Sequence, residues 1–169
     1  MFIDIVESNP EELEAMALKL GLKALAIYSE KTLILPTNSK VKFISAGPKK
    51  AQLVLSKSVA KDTKILFQSA NAPMRHSEYK ELERKKIALL FPLSEIIHEK
   101  DKPHYLENLV RHIKLCRKHG VIIVIATLAQ DKYALRSELE LAALYRSIGM
   151  TTSQANQGLS FIALQLGLK

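Results

Sequence analysis

Apolar residues fall into two patterns along the chain, short continuous runs and longer stripes at helical spacing. A run at residues 2–6 is followed by a stripe within residues 13–20, and Ala24–Tyr28 forms the next run. Pro10 suits the first position of a helix, and Gly21 suits its end. The order predicts a strand, a helix and a second strand, which favours a parallel sheet covered by helices.

The middle of the chain is less regular and is interrupted by proline, glycine and asparagine. No long amphipathic stripe occurs between residues 30 and 71. A helix is expected to return at residues 75–86, with Tyr79 and Leu82 on its inner face. The short apolar runs of this region predict strands at residues 32–35, 41–45, 53–55 and 64–68.

The second half of the chain repeats the alternation more clearly. Residues 87–91 and 121–126 are wholly apolar and predict strands covered on both faces, as in parallel sheets. Between them, a stripe at residues 106–116 predicts a helix that Gly120 ends. Two capping boxes then predict the starts of the last two helices: Ser137 with Glu140, and Thr151 with Gln154.

Composition limits the class of protein. With 169 residues, 47% of them hydrophobic, the chain is long enough for one globular domain spanning residues 1–169. No apolar run approaches the roughly 20 residues of a membrane helix, and the N-terminus lacks the zones of a signal peptide. The lone Cys116 excludes an internal disulfide and fits a reducing compartment. We therefore expect a cytoplasmic protein without a membrane partner.

The net charge of +8 is unevenly distributed. Residues 1–30 hold two basic and six acidic side chains, whereas residues 31–86 hold 13 basic and four acidic ones. A basic segment on a globular domain indicates a polyanionic partner. The alternative interpretation is a solvated, lysine-rich surface of the kind found in thermophilic or halotolerant organisms.

Residues 120–160 carry the most informative pattern of the chain. An apolar strand leads through a polar loop into a helix that closes with Ile-Gly-Met, and a helix with Gln-Ala follows. This order resembles the C-terminal signature of the α/β-barrel protein subunit of archaeal and eukaryotic ribonuclease P. Residues 85–93 and 118–120 also occur in the family's order, whereas residues 36–70 are shorter than the family's middle. The matching residues of the signature are Ala129, Leu135, Arg136, Leu141, Ile148, Gly149, Met150, Gln154, Ala155 and Ser160.

The resemblance implies an α/β fold, a TIM-like (β/α) barrel of mostly parallel strands. A full barrel of this kind usually has about 200 residues or more, so we expect a reduced, incomplete version that is partly open or depleted of helices. The implied function is that of a non-catalytic subunit in a tRNA-processing endoribonuclease, whose RNA component removes the 5′ leader of precursor tRNA with bound magnesium. The implied partners are ribonuclease P RNA and a ferredoxin-like protein subunit. With the latter the chain would form a heterodimer, two of which can associate into a heterotetramer. The protein itself is expected to bind no cofactor.

Two other functions stay open at this point. The family's fold is related to metal-dependent phosphoesterases of the polymerase-and-histidinol-phosphatase superfamily, which carry a His-x-His pair after the first strand. Here that place reads ESNPEE, and no histidine precedes His76. Asp4 is interpreted as a buried, hydrogen-bonded carboxylate, and no motif identifies a catalytic or metal-binding residue. A barrel scaffold without an RNA role is the second alternative.

Lys132 and Arg136 are the first candidates for contact with RNA. They lie on the loop that leaves the last predicted strand, at the end of the sheet where parallel barrels carry their functional groups. Both side chains suit phosphate oxygens. The alternative role of Arg136 is structural, by pairing with Glu138 or Glu140 or by capping a helix. The family has Pro-Arg-Asp where residues 138–140 read Glu-Leu-Glu, so its second arginine is absent.

The predicted helix at residues 75–86 carries a second set of cations. They form either a basic rim against phosphate groups or a solvated helix face. A third, more diffuse set lies in the middle of the chain, where the scarcity of aromatic residues argues against base stacking. The helix set is Arg75, His76, Lys80, Arg84, Lys85 and Lys86, and the middle set is Lys40, Lys42, Lys49, Lys50, Lys57, Lys61 and Lys64.

His112, Cys116 and His119 lie along one edge of the predicted helix, at positions i, i+4 and i+7. A zinc site would need three or four converging ligands. Cys116 also continues the apolar stripe, where a free cysteine packs as a small hydrophobic residue. We therefore interpret the three residues as structural.

Overall fold

The structure, a computed structural model, describes residues 2–7, 10–29, 39–47, 53–56 and 62–168. The described strands are β1 (Asp4–Val6), β2 (Ala24–Tyr28), β3 (Lys42–Gly47), β4 (Leu53–Ser56), β5 (Ile65–Phe67), β6 (Ala88–Leu90) and β7 (Ile123–Val124). The described helices are α1 (Pro10–Lys19), α2 (His76–Lys85), α3 (Leu93–His98), α4 (Lys102–His119), α5 (Glu138–Ser147) and α6 (Thr152–Gln165). None of these helices is long and apolar enough to cross a membrane.

The strands lie side by side in chain order, and every neighbouring pair is parallel. The segment after β7 returns to β1 and closes the sheet into a barrel. The backbone N–H of Leu128 donates to the carbonyl of Ile5, and the N–H of Glu7 donates to the carbonyl of Ala129, each at 2.8 Å. The predicted parallel α/β barrel is therefore confirmed. The sheet is closed rather than open, and the described residues between β2 and β5 include no helix.

Burial divides the apolar residues into two layers. Alternate strand residues, such as Ile5 and Leu90, belong to the cluster that fills the barrel. Their neighbours Val6 and Leu89 join the cluster between the sheet and the helices. Both faces of the strands are thus covered, which explains why the sequence shows continuous apolar runs and no polar alternation.

Asp4 and Thr127 form hydrogen bonds at the closing edge of the barrel, which is where β1 meets the segment after β7. The Oδ1 atom of Asp4 accepts hydrogen bonds from the N–H groups of Thr127 at 2.7 Å and Ile5 at 2.9 Å. Its Oδ2 atom accepts from the Thr127 hydroxyl at 2.6 Å. Burial raises the pKa of Asp4 to about 7, although the three hydrogen bonds act in the opposite direction. The interpretation of Asp4 as a buried, hydrogen-bonded carboxylate is confirmed.

α6 packs directly on β7 because Gly158 has no side chain. A Cβ atom placed on Gly158 would lie 2.2 Å from the carbonyl oxygen of Ile123, well inside contact distance. Phe161, one turn further on, joins the cluster inside the barrel and lines a groove with Ala88 and Ile122. Since Ala88 and Ile122 lie at the starts of β6 and β7, α6 covers the amino-terminal end of the barrel.

The local predictions agree with most of these elements. β2 has the predicted bounds, and both predicted capping boxes are present at the starts of α5 and α6. The predicted strand at residues 32–35 lies outside the described residues. α3 was not predicted, and α6, for which only the start was predicted, extends over 14 residues.

Candidate nucleic-acid interface

α2 presents the cations predicted for this segment on its exposed side. Tyr79 and Leu82 are buried, as predicted, and fix the rotation of the helix. The one ion pair between described residues joins Lys85 Nζ to Glu81 Oε1 at 2.6 Å. The exposed cations of this element and its flanks are Arg75, His76, Lys80, Arg84, Lys85 and Lys86.

α4 packs against α2 and adds cations that the sequence analysis missed. His76 Nδ1 and His119 Nε2 lie 3.0 Å apart, within hydrogen-bond distance of each other. The His119 ring also stacks on Tyr79, with a centroid distance of 5.9 Å and an angle of 17° between the planes. We define the α2–α4 basic surface as Arg75, His76, Lys80 and Arg84 together with Arg111, Lys118 and His119 of α4.

Positive charges converge at the His119 end of this surface. Partial burial lowers the pKa of His119, and the nearby His76, Lys118 and Lys80 lower it further. Among the described residues, no carboxylate forms an ion pair with these cations, since the one ion pair uses Lys85. Converging cations without a carboxylate partner attract phosphate groups strongly.

His112 is held inside the protein by two hydrogen bonds. The carbonyl of Ala70 can only accept, so His112 Nε2, at 3.1 Å, donates to it. His112 Nδ1 then accepts from the Tyr79 hydroxyl, and burial lowers the pKa of His112. Burial raises the pKa of the Cys116 thiol to about 12, as expected for a residue packed in the core. These contacts support the structural interpretation of His112 and Cys116, and no group of three metal-binding side chains occurs among the described residues.

The loop at residues 130–136 leaves the carboxyl-terminal end of the barrel and is tied by its own polar groups. Asp131 Oδ1 accepts from the N–H groups of Tyr133 at 2.7 Å and Ala134 at 2.9 Å. Arg136 Nη1 donates to the carbonyls of Tyr133 at 2.6 Å and Leu135 at 2.7 Å. Arg136 therefore has a structural role, although the partners are backbone carbonyls and not the acidic residues considered in the sequence analysis.

Glu140, one of those acidic residues, caps α5 instead. Its Oε2 atom accepts from the N–H and the hydroxyl of Ser137, each at 2.8 Å, and these hydrogen bonds lower the pKa of Glu140. Lys132 is exposed, and its Nζ atom lies 5.2 Å from the centroid of the Tyr133 ring. The loop thus presents one free lysine beside one aromatic ring.

The middle set of lysines lies partly outside the described residues, which exclude Lys49, Lys50, Lys57 and Lys61. Lys40, Lys42 and Lys64 are exposed. Lys42 begins β3 and Lys64 precedes β5, so both lie at the amino-terminal end of the barrel, opposite the loop at residues 130–136. The structure therefore separates these lysines from Lys132.

The spacing of the α4 cations in the sequence already indicates that they lie on one side of a helix. Arg111 and Lys118 are seven residues apart, which places them on the same side of a helix. The spacing does not indicate which other helix packs against that side of α4. Only the packing of α4 on α2 joins Lys118 and His119 to the cations of α2.

These features define the class of protein: a small parallel α/β barrel with a basic surface on two outer helices. A chain in the cryo-EM structure of archaeal ribonuclease P with mature tRNA superposes with a TM-score of 0.83 over 98% of this chain and 90% of its own, at 16% sequence identity. A crystal structure of an uncharacterized protein aligns with 90% of this chain and 46% of its own, at 6% identity and a TM-score of 0.49, which is too low to support an argument. No model of a known protein family matches the chain, and no curated protein matches it. The first likeness establishes the fold.

Proposed function

We propose that this chain is a protein subunit of ribonuclease P that contacts the RNA of the enzyme. The observation that carries the proposal is the shared fold, over 98% of the chain, with a protein of archaeal ribonuclease P in complex with mature tRNA. The sequence pattern at residues 120–160 supports the same family by a separate route, because it was identified from residue order and not from the shape of the fold.

The α2–α4 basic surface supplies the physical basis for binding. Each cation that replaces a counterion on an RNA phosphate contributes favourable free energy at low salt. Arg84 and Lys80 are exposed and, among described residues, free of ion pairs. Their contact with an RNA phosphate therefore breaks no described ion pair and costs little free energy. Bringing RNA helices together requires neutralised phosphates, and we propose that this surface lowers the magnesium concentration at which the RNA component folds.

In this proposal the protein is not the catalyst. Leader removal belongs to the RNA and its magnesium ions, and the protein shapes the RNA that carries them. We also propose a ferredoxin-like protein subunit as partner, in a heterodimer that can associate with a second one into a heterotetramer. The proposed location is the cytoplasm. Lys132, on the loop at the carboxyl-terminal end of the barrel, is proposed as a further phosphate contact.

The experiment is a reconstitution with ribonuclease P RNA from the same organism. Cleavage of a precursor tRNA is measured across a magnesium titration, with and without the purified chain. We expect the chain to lower the magnesium midpoint and to have no activity without RNA. A midpoint that does not move, together with no binding to the RNA, would contradict the proposal and favour a scaffold without an RNA role. Turnover of a generic phosphoester by the RNA-free chain would favour the phosphoesterase alternative.

A further inference from the structure

A groove at the carboxyl-terminal end of the barrel exposes apolar surface that the proposed phosphate contacts do not explain. It lies between α3 and the loop at residues 130–136. Two of its lining residues are large hydrophobic side chains with high exposure, Ile97 at 42% and Tyr133 at 72%. An exposed aromatic ring on a fixed support often marks a binding surface.

The support of Tyr133 is fixed by hydrogen bonds on both sides of its backbone. Its N–H donates to Asp131 Oδ1 at 2.7 Å, and its carbonyl accepts from Arg136 Nη1 at 2.6 Å. The backbone is thus ordered while the ring remains in solvent. A ring held in this way loses little conformational entropy when a ligand stacks on it.

The charges around the ring favour an anionic ligand. Lys132 Nζ lies 5.2 Å from the ring centroid, and Arg136 and His98 also line the groove. Asp131 is the acidic side chain among the described lining residues, and its Oδ1 atom is already engaged by two backbone N–H groups. A ligand with a flat apolar part and a negative part would match both the ring and its surroundings.

We propose that this groove binds one unpaired nucleotide of an RNA, with the base stacked on Tyr133 and the neighbouring phosphate near Lys132. The inference rests on the proposed function, since it assigns the loop at residues 130–136 a second mode of contact with the same class of partner. It also refines the expectation that base stacking is absent, which concerned the lysine-rich middle of the chain. Stacking on an aromatic side chain tolerates all four bases because each base has a π-face.

The test compares two single-stranded probes of equal charge. One is a fluorescently labelled ten-nucleotide oligoadenylate, and the other is the same sugar-phosphate chain with abasic positions. Fluorescence anisotropy measures the affinity of the full chain for each probe. We expect the wild-type chain to prefer the oligoadenylate by about tenfold, the range expected for one stacked base.

Variants of the full chain separate stacking from charge. Tyr133→Ala should abolish the preference for the oligoadenylate, whereas Tyr133→Phe should retain it. Lys132→Ala should weaken binding of both probes by a similar factor, because it removes a phosphate contact. Leu139→Ala is the matched control, since Leu139 is 81% exposed but does not line the groove, and it should leave both affinities unchanged.

The outcomes distinguish this inference from the proposed function. A Tyr133→Ala chain that keeps the wild-type preference for the oligoadenylate overturns the inference. A wild-type chain that binds ribonuclease P RNA but binds both probes equally overturns the inference alone, whereas a chain that binds no RNA of any kind overturns both. Tyr133-dependent binding of a protein partner, without discrimination between the probes, would reassign the groove to a protein interface and also overturn the inference.

Discussion

The closing edge of the barrel and the α2–α4 basic surface differ in whether their charged side chains have partners within the chain. At the closing edge, the carboxylate of Asp4 is fully buried and each of its oxygens has a donor. No buried side-chain nitrogen or oxygen among the described residues lacks a hydrogen-bond partner. On the basic surface, Lys80 and Arg84 are exposed and have no described ion pair.

The difference indicates which polar groups serve the fold and which are available to a partner. A buried charge without a partner is costly, so the closing edge had to be satisfied within the chain. Exposed like charges raise the free energy of the folded state by mutual repulsion, and an RNA phosphate relieves that cost. Substitutions at or near the closing edge should therefore change the free energy of unfolding, and substitutions on the basic surface should change the affinity for RNA.

The largest effect is expected from Gly158→Ala. The new Cβ would meet the carbonyl oxygen of Ile123 at 2.2 Å, and backbone cannot move aside as a flexible side chain can. We expect a loss of about 3 kcal/mol or more in the free energy of unfolding, measured by urea denaturation with circular dichroism. Asn156→Ala is the control, because Asn156 is exposed on the same helix and should change stability little. Equal stability of the two variants would contradict the close packing of α6 on β7.

The second prediction concerns the pH dependence of stability. The unfolded chain releases the Asp4 proton near the ordinary value of 3.8, whereas the folded chain holds it up to about pH 7. Between these values the folded state binds more protons, so the free energy of unfolding falls as pH rises. The expected slope approaches about 1.4 kcal/mol per pH unit between the two values, and above about pH 8 the contribution no longer changes.

Asp4→Asn tests this slope, since an amide of the same shape still accepts from the two N–H groups but does not titrate. The unfolding free energies of wild type and Asp4→Asn are measured from pH 4 to 8. As pH rises, the variant should become more stable relative to wild type. Taking the difference cancels the titration of all other groups. A difference that is constant with pH would show that the Asp4 pKa is not raised.

The closing edge also shows how far the sequence could predict the fold. β2 and the capping boxes of α5 and α6 were predicted because their determinants lie within a few residues of one another. The hydrogen bonds of Asp4 with Thr127 join residues 123 positions apart, and nothing local indicates that partner. α3 begins where the N–H groups of Leu93 and Ser94 donate to the carbonyls of Ala126 and Thr127, so its start depends on the segment that follows β7.

The basic surface shows the same limit for the candidate site. The α2 cations were predicted because a single helix carries them and its inner face was marked by Tyr79 and Leu82. His119 was considered as a metal ligand, whereas its neighbour in the structure is His76 at 3.0 Å. For Arg136, the sequence left RNA contact and pairing with acidic residues open. The bonds of its Nη1 atom to the carbonyls of Tyr133 and Leu135 were not foreseen, because they depend on the folded shape of the loop.

The third prediction uses two adjacent cations of α2 that differ in their partners. Lys85 is paired with Glu81 at 2.6 Å, whereas Arg84 has no described ion pair. Arg84→Ala should lower the affinity for ribonuclease P RNA severalfold and flatten the dependence of log affinity on log salt by about one unit. Lys85→Ala should have a smaller effect, since binding RNA would first require breaking the pair with Glu81. Lys19→Ala is the distant control, because the Lys19 side chain is exposed at the end of α1, and it should have no effect. Equal effects of all three substitutions would contradict a localised surface.

The smallest effect is expected from the histidine pair. His76 Nδ1 and His119 Nε2 lie 3.0 Å apart, and the pKa of His119 is lowered by partial burial and by the nearby His76, Lys118 and Lys80 side chains. Tyr79 stacks on the ring, and Glu83 lies near Gly120, at the end of the same helix. A phosphate bound here would favour the protonated form of His119, so RNA binding should take up protons and strengthen as pH falls from 7.5 to 5.5.

His119→Gln removes the titrating imidazole of His119 but keeps a polar side chain. We expect wild-type affinity for ribonuclease P RNA to rise by about threefold over this pH range beyond that of the variant, a size typical of exposed charge interactions. His104→Gln is the matched control, because His104 lies on the same helix and bonds to Asn108 instead. It should keep the wild-type pH dependence. If His119→Gln and wild type respond to pH alike, the pair is not a phosphate contact, and the basic surface is confined to its lysines and arginines.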